Sequence, residues 1–446
     1  MAEAADAPAP QSITHARVLK IAGPIVLSNA TIPILGAVDT GVVGQLGAAA
    51  PIGAVGLGAI ILQAIYWIFG FLRMGTTGLA AQAAGAGNRA EVAALLTRVL
   101  MIGFAAGTVM ILAQSLLFAG AFRIAPASAE VEALARDYMG LRIWSAPAAI
   151  AIYGITGWLI AAERTRGVLV LQVSMNLLNM ALTAWLVLGL DFGVRGAALG
   201  TVIAEWTGLA LGLWLCRGAF RVPAWRDWAR VFDVVKLKRM AQVNGDILIR
   251  SALLQSIFVS FLFLASGMGD VTLAANQVLL QFLYITAYAL DGFAFAAEAM
   301  VGQAAGAGAV ATLRRASILS ALWGAVATLA LAACFALGGA ALIDLMAEAP
   351  EVVAEARRYL PWMVIAPVLG LASYMYDGIY IGATRTADMR NLMAISAAGY
   401  FACAALLIPA YGNHGLWAAL MASFVFRGLT MALRYPALER AVARGA

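Results

Sequence analysis

Twelve times along these 446 residues the chain stays apolar for about 20 residues or more, the length that crosses the hydrocarbon core of a bilayer. Nothing else in the sequence constrains the fold so tightly. Lipid offers a backbone no hydrogen bonds, so each span must satisfy its own N–H and C=O groups. No strand-length alternation of apolar and polar residues is present, which leaves helices. The spans lie near 17–40, 51–75, 93–117, 134–160, 167–189, 196–216, 240–266, 272–300, 316–340, 359–382, 391–409 and 414–433. Composition agrees: 63% of residues are hydrophobic and 12% charged, where a soluble domain carries about 25% charged. The expected fold class is an all-α integral membrane protein with twelve transmembrane helices.

The spans also repeat. The hexapeptide QAAGAG occurs at Gln82–Gly87 and again at Gln303–Gly308, 221 positions later. At the same offset GWLIAAERTR from Gly157 meets GIYIGATRTA from Gly378. Later, FGVRGAALG from Phe192 resembles YGNHGLWAA from Tyr411 at an offset of 219, as if two residues had been lost in a loop. A register kept over so much chain indicates two homologous halves. Six spans per half is an even number, so both halves start on the same side, as parallel repeats related by an axis along the membrane normal. The expected division is a tail 1–16, a lobe 17–217, a linker 218–239, a second lobe 240–433 and a tail 434–446.

The net charge of +6 invites a nucleic-acid partner, but its distribution argues against one. Loops after even-numbered spans hold fourteen Lys and Arg residues; loops after odd-numbered spans hold five, namely Arg123, Arg136, Arg195, Arg357 and Arg358. The positive-inside rule then places even loops and both termini in the cytoplasm of a cell (inner) membrane protein. The acidic, Pro/Ala-rich start MAEAADAPAPQS lacks the positive region of a signal peptide. Cys216, Cys334 and Cys403 have no CxxC spacing, which excludes a disulfide framework or zinc site as the working expectation. His15 and His414 lie outside span centres and do not form a proton relay.

In the linker, Trp225, Trp228, Phe232 and Val235 fall at helical spacing, with Arg226, Asp227 and Arg230 elsewhere on the wheel. The pattern predicts an amphipathic helix in the inner headgroup region; an ordinary basic topogenic loop is the plainer alternative. The QAAGAG segments follow spans two and eight. With no preceding strand and no GK[ST] they are not nucleotide loops. They predict helix ends and close helix packing.

Charges inside spans are costly and usually functional. Asp39 stands six residues after Pro33 with no basic residue near it in sequence. A lone carboxylate beside a proline-weakened helix suits a cation-driven switch. Asp246 and Arg250 are one turn apart, the spacing of an ion pair on one helix. Asp291 and Glu298 are seven apart and share a face, whereas their counterparts are Gly70 and Thr77. Glu205 suits pairing with an Arg, Asp377 is a further intramembrane acid, and Asn176 and Asn179 carry amides into span five.

The segments GAVDTGVVGQL (36–46), NLLNMALTAWLVLGL (176–190), GAALGTVIAEWTGLALGL (196–213), NGDILIRSALLQ (244–255), YALDGFAFAAEAMVGQAAGAG (288–308) and YDGIYIGATRTADMRN (376–391) cover both halves in order. With them the chain resembles the MATE (multidrug and toxic compound extrusion) family, and within it the DNA-damage-inducible protein F subgroup. The resemblance implies two six-helix lobes forming a V, no enzymatic activity and no cofactor, and export of small amphipathic, often cationic molecules against H⁺ or Na⁺. It implies a monomer in the lipid bilayer. By motif it carries a cation site onto Asp39, Tyr138, Asn179, Thr183 and Thr201, with Asn176 beside them. Where the subgroup often has an Asp one turn after the Asn, this sequence has Thr183. One formal charge is thereby missing, which tilts the expected coupling from a Na⁺ site at Asp39, Asn179 and Thr201 towards H⁺. Glu205, Asp246, Arg250, Asp291, Glu298 and Asp377 are secondary candidates.

A flippase for a lipid-linked precursor is the main alternative to a drug/H⁺ antiporter. A membrane enzyme or scaffold is the third, and no metal cluster or nucleophile–base pair supports it. The topology is testable directly. In a chain lacking its three cysteines, a Cys at Arg226 should react with an impermeant maleimide only from the cytoplasmic face, and a Cys at Arg123 only from the outer face.

Overall fold

The computed structural model describes residues 12–45 and 49–445, without the side chains of Ala37, Asp39 and Thr40. Asp39 therefore sits on a described helix, but its carboxylate lies outside the described residues, as does most of the 1–16 tail. Helices α1 (His15–Asn29), α2 (Thr31–Gly44), α3 (Ala49–Trp67), α4 (Phe71–Gly85), α5 (Arg89–Leu112), α6 (Gln114–Ile124), α7 (Ala129–Arg142), α8 (Ala146–Ala161), α9 (Thr165–Ala184) and α10 (Gly193–Leu215) form the first half. After the short α11 (Trp228–Val231) come α12 (Val234–Ser266), α13 (Asp270–Gly306), α14 (Val310–Met346), α15 (Pro350–Gly382), α16 (Thr386–Tyr411) and α17 (Asn413–Ala443). Among the described residues, twelve helical stretches are long and apolar enough to cross a membrane. Three are broken. The first parts at Ala30, where the ring of Pro33 opposes the carbonyl of Asn29. The second passes through a 3-10 turn at Ile68–Gly70, and the fourth through one at Ile143–Ser145.

The repeat is visible in backbone detail. Left-handed conformations mark helix boundaries at Gly87 (φ 72°) and Gly308 (φ 65°), at Glu163 (φ 55°) and Thr384 (φ 49°), and at Gly193 (φ 52°) and Gly412 (φ 54°). Each pair keeps the offset read from the sequence. Helix contacts recur too. Gly157 lies against the carbonyl of Arg73, and Gly378 against that of Ala294, both pairs at the same offset. Gly196 packs on Leu186, and Gly415 on Leu407. The leucines are 221 apart and the glycines 219, so the two-residue loss falls between them. At that point the first half makes a π turn, Trp185–Gly189, where α16 runs on unbroken.

The chain divides into two compact units. One comprises the described part of Met1–Val26, with Ala81–Gly87 and Lys238–Ala446; the other comprises Leu27–Ala80 and Asn88–Leu237. The change at Leu237/Lys238 lies within 218–239, but the start of the first span and Ala81–Gly87 group with the second half rather than with the first. Within the first unit, Gly292 of α13 abuts Ala22 and Val26 of α1, and the Arg17 guanidinium donates to Gln303 Oε1 at 3.0 Å. The two hexapeptides meet in this unit. Gly85 lies against the Gln303 carbonyl and Gly306 against the Gln82 carbonyl, while a Cβ on Gly302 would come within 2.6 Å of the Ala81 methyl. These are reciprocal contacts between equivalent residues.

In the other unit the linker departs from expectation. It is not one amphipathic helix but two 3-10 turns, Ala219–Arg221 and Pro223–Arg226, followed by α11. Pro223 lacks a donor, and Asp227 caps α11 by accepting from the Arg230 N–H at 3.3 Å. The segment is fastened to α5. Thr97 Oγ1 donates to the Trp225 carbonyl at 2.7 Å, and Arg98 Nε to that of Val231 at 2.8 Å. Glu91 accepts from Arg98 at 2.6 Å and from Lys236 at 2.5 Å. Trp228 and Phe232 stack on each other, 6.0 Å between centroids, and stay exposed. Cys216, just past α10, is buried.

The glycine crossings generate a test. Gly85→Ala and Gly306→Ala each force a methyl onto a backbone carbonyl and should lower stability by about 1–3 kcal/mol or more. Gly120→Ala, with nothing within 4 Å of the added carbon, should leave it unchanged or slightly raised. Thermal unfolding in detergent measures all three; equal melting temperatures would show that the crossing tolerates spreading.

Candidate functional site

On α9, Gln172, Asn176, Asn179 and Thr183 follow at helical spacing and form a ladder of amides and a hydroxyl. Asn176, Asn179 and Thr183 are all at least 96% buried. Asn176 accepts from Gln172 Nε2 at 3.2 Å and donates to Thr31 Oγ1 on α2 at 2.8 Å. Thr183 Oγ1 donates to Asn179 Oδ1 at 3.2 Å. Opposite Thr183 stands Gly200 of α10, where an added Cβ would come within 2.9 Å of the threonine hydroxyl. A side chain at position 200 would thus fill the space that lets α10 approach the ladder. The ladder joins the helix that carries Asp39 to α9 by side-chain hydrogen bonding. Thr201, also buried, turns its hydroxyl to the Ala197 carbonyl at 3.1 Å.

Tyr138 and Glu205 belong to a second group in the same unit. Arg142, the last residue of α7, pairs with Glu205 of α10 through both terminal nitrogens, at 3.0 and 3.1 Å, and donates to Ser145 Oγ at 3.2 Å. It also hydrogen-bonds with Tyr138. Its guanidinium lies 5.6 Å from the Tyr66 ring centroid. The break in the helix frees the Arg142 carbonyl, which accepts from Ser145 Oγ at 2.7 Å and Tyr66 Oη at 3.4 Å.

The other unit holds the remaining candidates. The one-turn pair expected between Asp246 and Arg250 is not made. Asp246 instead accepts from Arg390 at 2.6 Å and Thr386 Oγ1 at 3.0 Å, both at the start of α16. Arg250 pairs with Asp377 of α15, and Arg427 of α17 stands 3.8 Å from the same carboxylate while donating to Ser373 Oγ at 2.8 Å. Charges one turn apart on α12 are thus drawn to different neighbours, because each faces a different helix. Asp291 is half-buried, within electrostatic reach of Tyr288 and Tyr374. Glu298 is almost fully buried. Among the described residues no three His, Cys, Asp or Glu side chains are grouped to hold a metal ion.

Sequence reasoning named Asn176, Asn179 and Thr183 but not their partners Gln172 and Thr31, and expected Glu205 to pair with an arginine without identifying Arg142 or the group around it. The signal for that group was present: Tyr138 and Arg142 are one turn apart on α7, and Thr201 and Glu205 one turn apart on α10, so two candidate residues each had an ionic neighbour on the same face. A polar cluster in the second half had no such signal. Asn276 and Asn413 exchange amide hydrogen bonds at 2.7 and 2.9 Å, and Trp417 Nε1 donates to Asn276 Oδ1 at 2.9 Å.

Known proteins bear on this architecture. The MatE family model matches residues 24–185 and again 247–409, one copy in each half. DNA damage-inducible protein F of Escherichia coli (strain K12) is 39% identical over 92% of this chain and 90% of its own. A probable multidrug resistance protein NorM of Bradyrhizobium diazoefficiens is 27% identical over 95% of this chain and 93% of its own. Among solved structures, the Vibrio cholerae MATE transporter VcmN in its bent form superposes with a TM-score of 0.88 at 20% identity, covering 97% of this chain and 98% of that one, a likeness of fold. With one family model matched in both halves and a relative 39% identical over nearly its whole length, the chain belongs to the MATE (multidrug and toxic compound extrusion) family of membrane transporters.

Proposed function

We propose that the protein is a secondary active exporter of amphipathic, mostly cationic compounds, driven by entry of H⁺ in preference to Na⁺, with Asp39 as the coupling carboxylate. It works as a monomer in the cell (inner) membrane with both termini in the cytoplasm. The observation that carries the reading is the hydrogen bond from Asn176 to Thr31, which ties the uncharged ladder of α9 to the helix bearing Asp39. Both helices belong to odd-numbered spans and run in the same direction. Asp39 is eight residues past Thr31, and Thr183 seven past Asn176, so both lie about 10–12 Å further on at 1.5 Å per residue. On α9 the position one turn after Asn179 is Thr183, hydrogen-bonded to the Asn179 amide, so the candidate set Asp39, Asn179, Thr183 and Thr201 holds one carboxylate. Such a site takes a proton more readily than it holds Na⁺. Inward H⁺ movement supplies about 1.36 kcal/mol per pH unit and about 2.3 kcal/mol per 100 mV for each charge moved. The name of one relative, a probable multidrug resistance protein NorM, agrees with a role in drug export.

Export of a lipid-linked precursor is the second reading. The Arg250–Asp377–Arg427 group favours it, since two guanidiniums on one carboxylate suit an anionic headgroup. Proteoliposomes separate the two readings. Efflux of a fluorescent cation under an imposed pH gradient is expected; its absence, together with movement of a lipid pyrophosphate, would select the second.

Thr183→Asp should restore a second carboxylate beside Asn179 and strengthen Na⁺ binding. Titration calorimetry with NaCl checks this, and no gain would place the cation elsewhere. Asp39→Asn should abolish gradient-driven efflux in a folded protein, because Asn keeps the shape but cannot carry a proton. Proton and drug must favour different states to exchange. Wild-type drug affinity should therefore fall as pH drops from 8 to 5, and that of the variant should stay low and flat. A variant with wild-type pH dependence would move the coupling proton to Asp291, Glu298 or Asp377.

A further inference from the structure

The Arg142–Glu205 pair is placed as a bound organic cation would be. A planar guanidinium meets the carboxylate through two nearly equal hydrogen bonds, at 3.0 and 3.1 Å, with the Tyr66 ring beside it at 5.6 Å and Tyr138 and Ser145 completing the surround. These are the elements that recognise an aromatic cation from outside: a fork-shaped acceptor, a π face and hydroxyl groups. The guanidinium, however, belongs to the chain. It is the terminus of a long side chain anchored where α7 gives way to a 3-10 turn, so it can leave Glu205 by rotation about its own bonds without unwinding a helix. Neither side chain is sealed off, at 15% and 14% exposed.

We propose that Glu205 is a specificity-determining residue for cationic cargo, and that it takes the planar amidinium or guanidinium group of that cargo in exchange for the guanidinium of Arg142. This rests on the export reading for its biological meaning, though the binding step does not require transport. Exchange of like for like never leaves the Glu205 carboxylate unpaired in a low-dielectric surround, the situation that makes removal of one partner from a buried pair so unfavourable. The displaced Arg142 keeps Ser145 and Tyr138 within reach. A primary ammonium is a point charge that cannot span both carboxylate oxygens in one plane. The site therefore discriminates by shape of the charged group, and the rings beside it add an aromatic body as a second requirement. The neighbouring charge that opposes cation entry is Arg73, which shares Tyr153 with this pair as an electrostatic neighbour.

The test uses two probes with the same ring, benzamidine with a planar amidinium and benzylamine with an ammonium, titrated into purified protein in detergent with no gradient. Wild type should bind benzamidine at least tenfold more tightly than benzylamine. Glu205→Gln should remove that preference, and Arg142→Gln, which deletes the internal competitor, should strengthen benzamidine binding at least fivefold. No preference in wild type, or a preference that survives Glu205→Gln, would overturn the proposal. A purely structural pair predicts lower melting temperatures in both variants with the probe ratio unmoved. If Arg142→Gln does not fold, the wild-type and Glu205→Gln ratios still decide. Preserved binding with no efflux would sink the export reading and leave this one standing.

Discussion

Lipid gives a buried polar group nothing to bond to, so each must find its partner in the protein. That constraint organises the interior of both units. Asn276 on α13 holds Asn413 and Trp417 on α17; Asp246 on α12 holds Thr386 and Arg390 on α16; Asn176 on α9 holds Thr31 on α2. Apolar packing fills the space between helices without distinguishing one neighbour from another. The polar contacts do distinguish, because a wrong neighbour leaves a charge or amide unsatisfied in hydrocarbon.

What could be read from the sequence was local or periodic. Span length, the 221-residue offset and the helix-ending glycines depend only on residues near one another or on comparison of two stretches, and all recur in the fold. Cross-helix pairing depends on which faces meet, and no spacing rule encodes it. Asp246 and Arg250 illustrate the difference. Their one-turn spacing suggests a pair, yet Asp246 bonds 144 positions away and Arg250 127 positions away. The linker failed for a different reason. The spacing of its aromatics is helical, but Pro223 and the Asp227 cap cut the segment into turns, and local backbone chemistry overrode the wheel. Of the site, the α9 ladder was legible as amides in an apolar span; its tie to α2 was not.

Arg98 and the basic residues of the linker hold that segment in place. Arg98 is 2% exposed and donates to two linker carbonyls, those of Arg230 and Val231. Glu91 gathers Arg98 and Lys236 about one carboxylate, with Arg230 at 3.9 Å. The linker is therefore docked along its length rather than slack. Its exposed Trp228, Phe232, Val234 and Val235 are presented on a fixed scaffold.

The meeting of the two QAAGAG segments bears on how such a chain diverges. Gly85 needs the Gln303 backbone where it is, and Gly306 needs that of Gln82. A larger residue at either position is felt by the opposite copy, so the two hexapeptides drift as one unit even though 221 residues separate them in the gene product. Elsewhere the halves have diverged: Gly70 and Thr77 in one stand at the positions of Asp291 and Glu298 in the other. Internal symmetry in this protein thus survives in the backbone, at helix boundaries and glycine crossings, while polar side chains inside the spans have specialised.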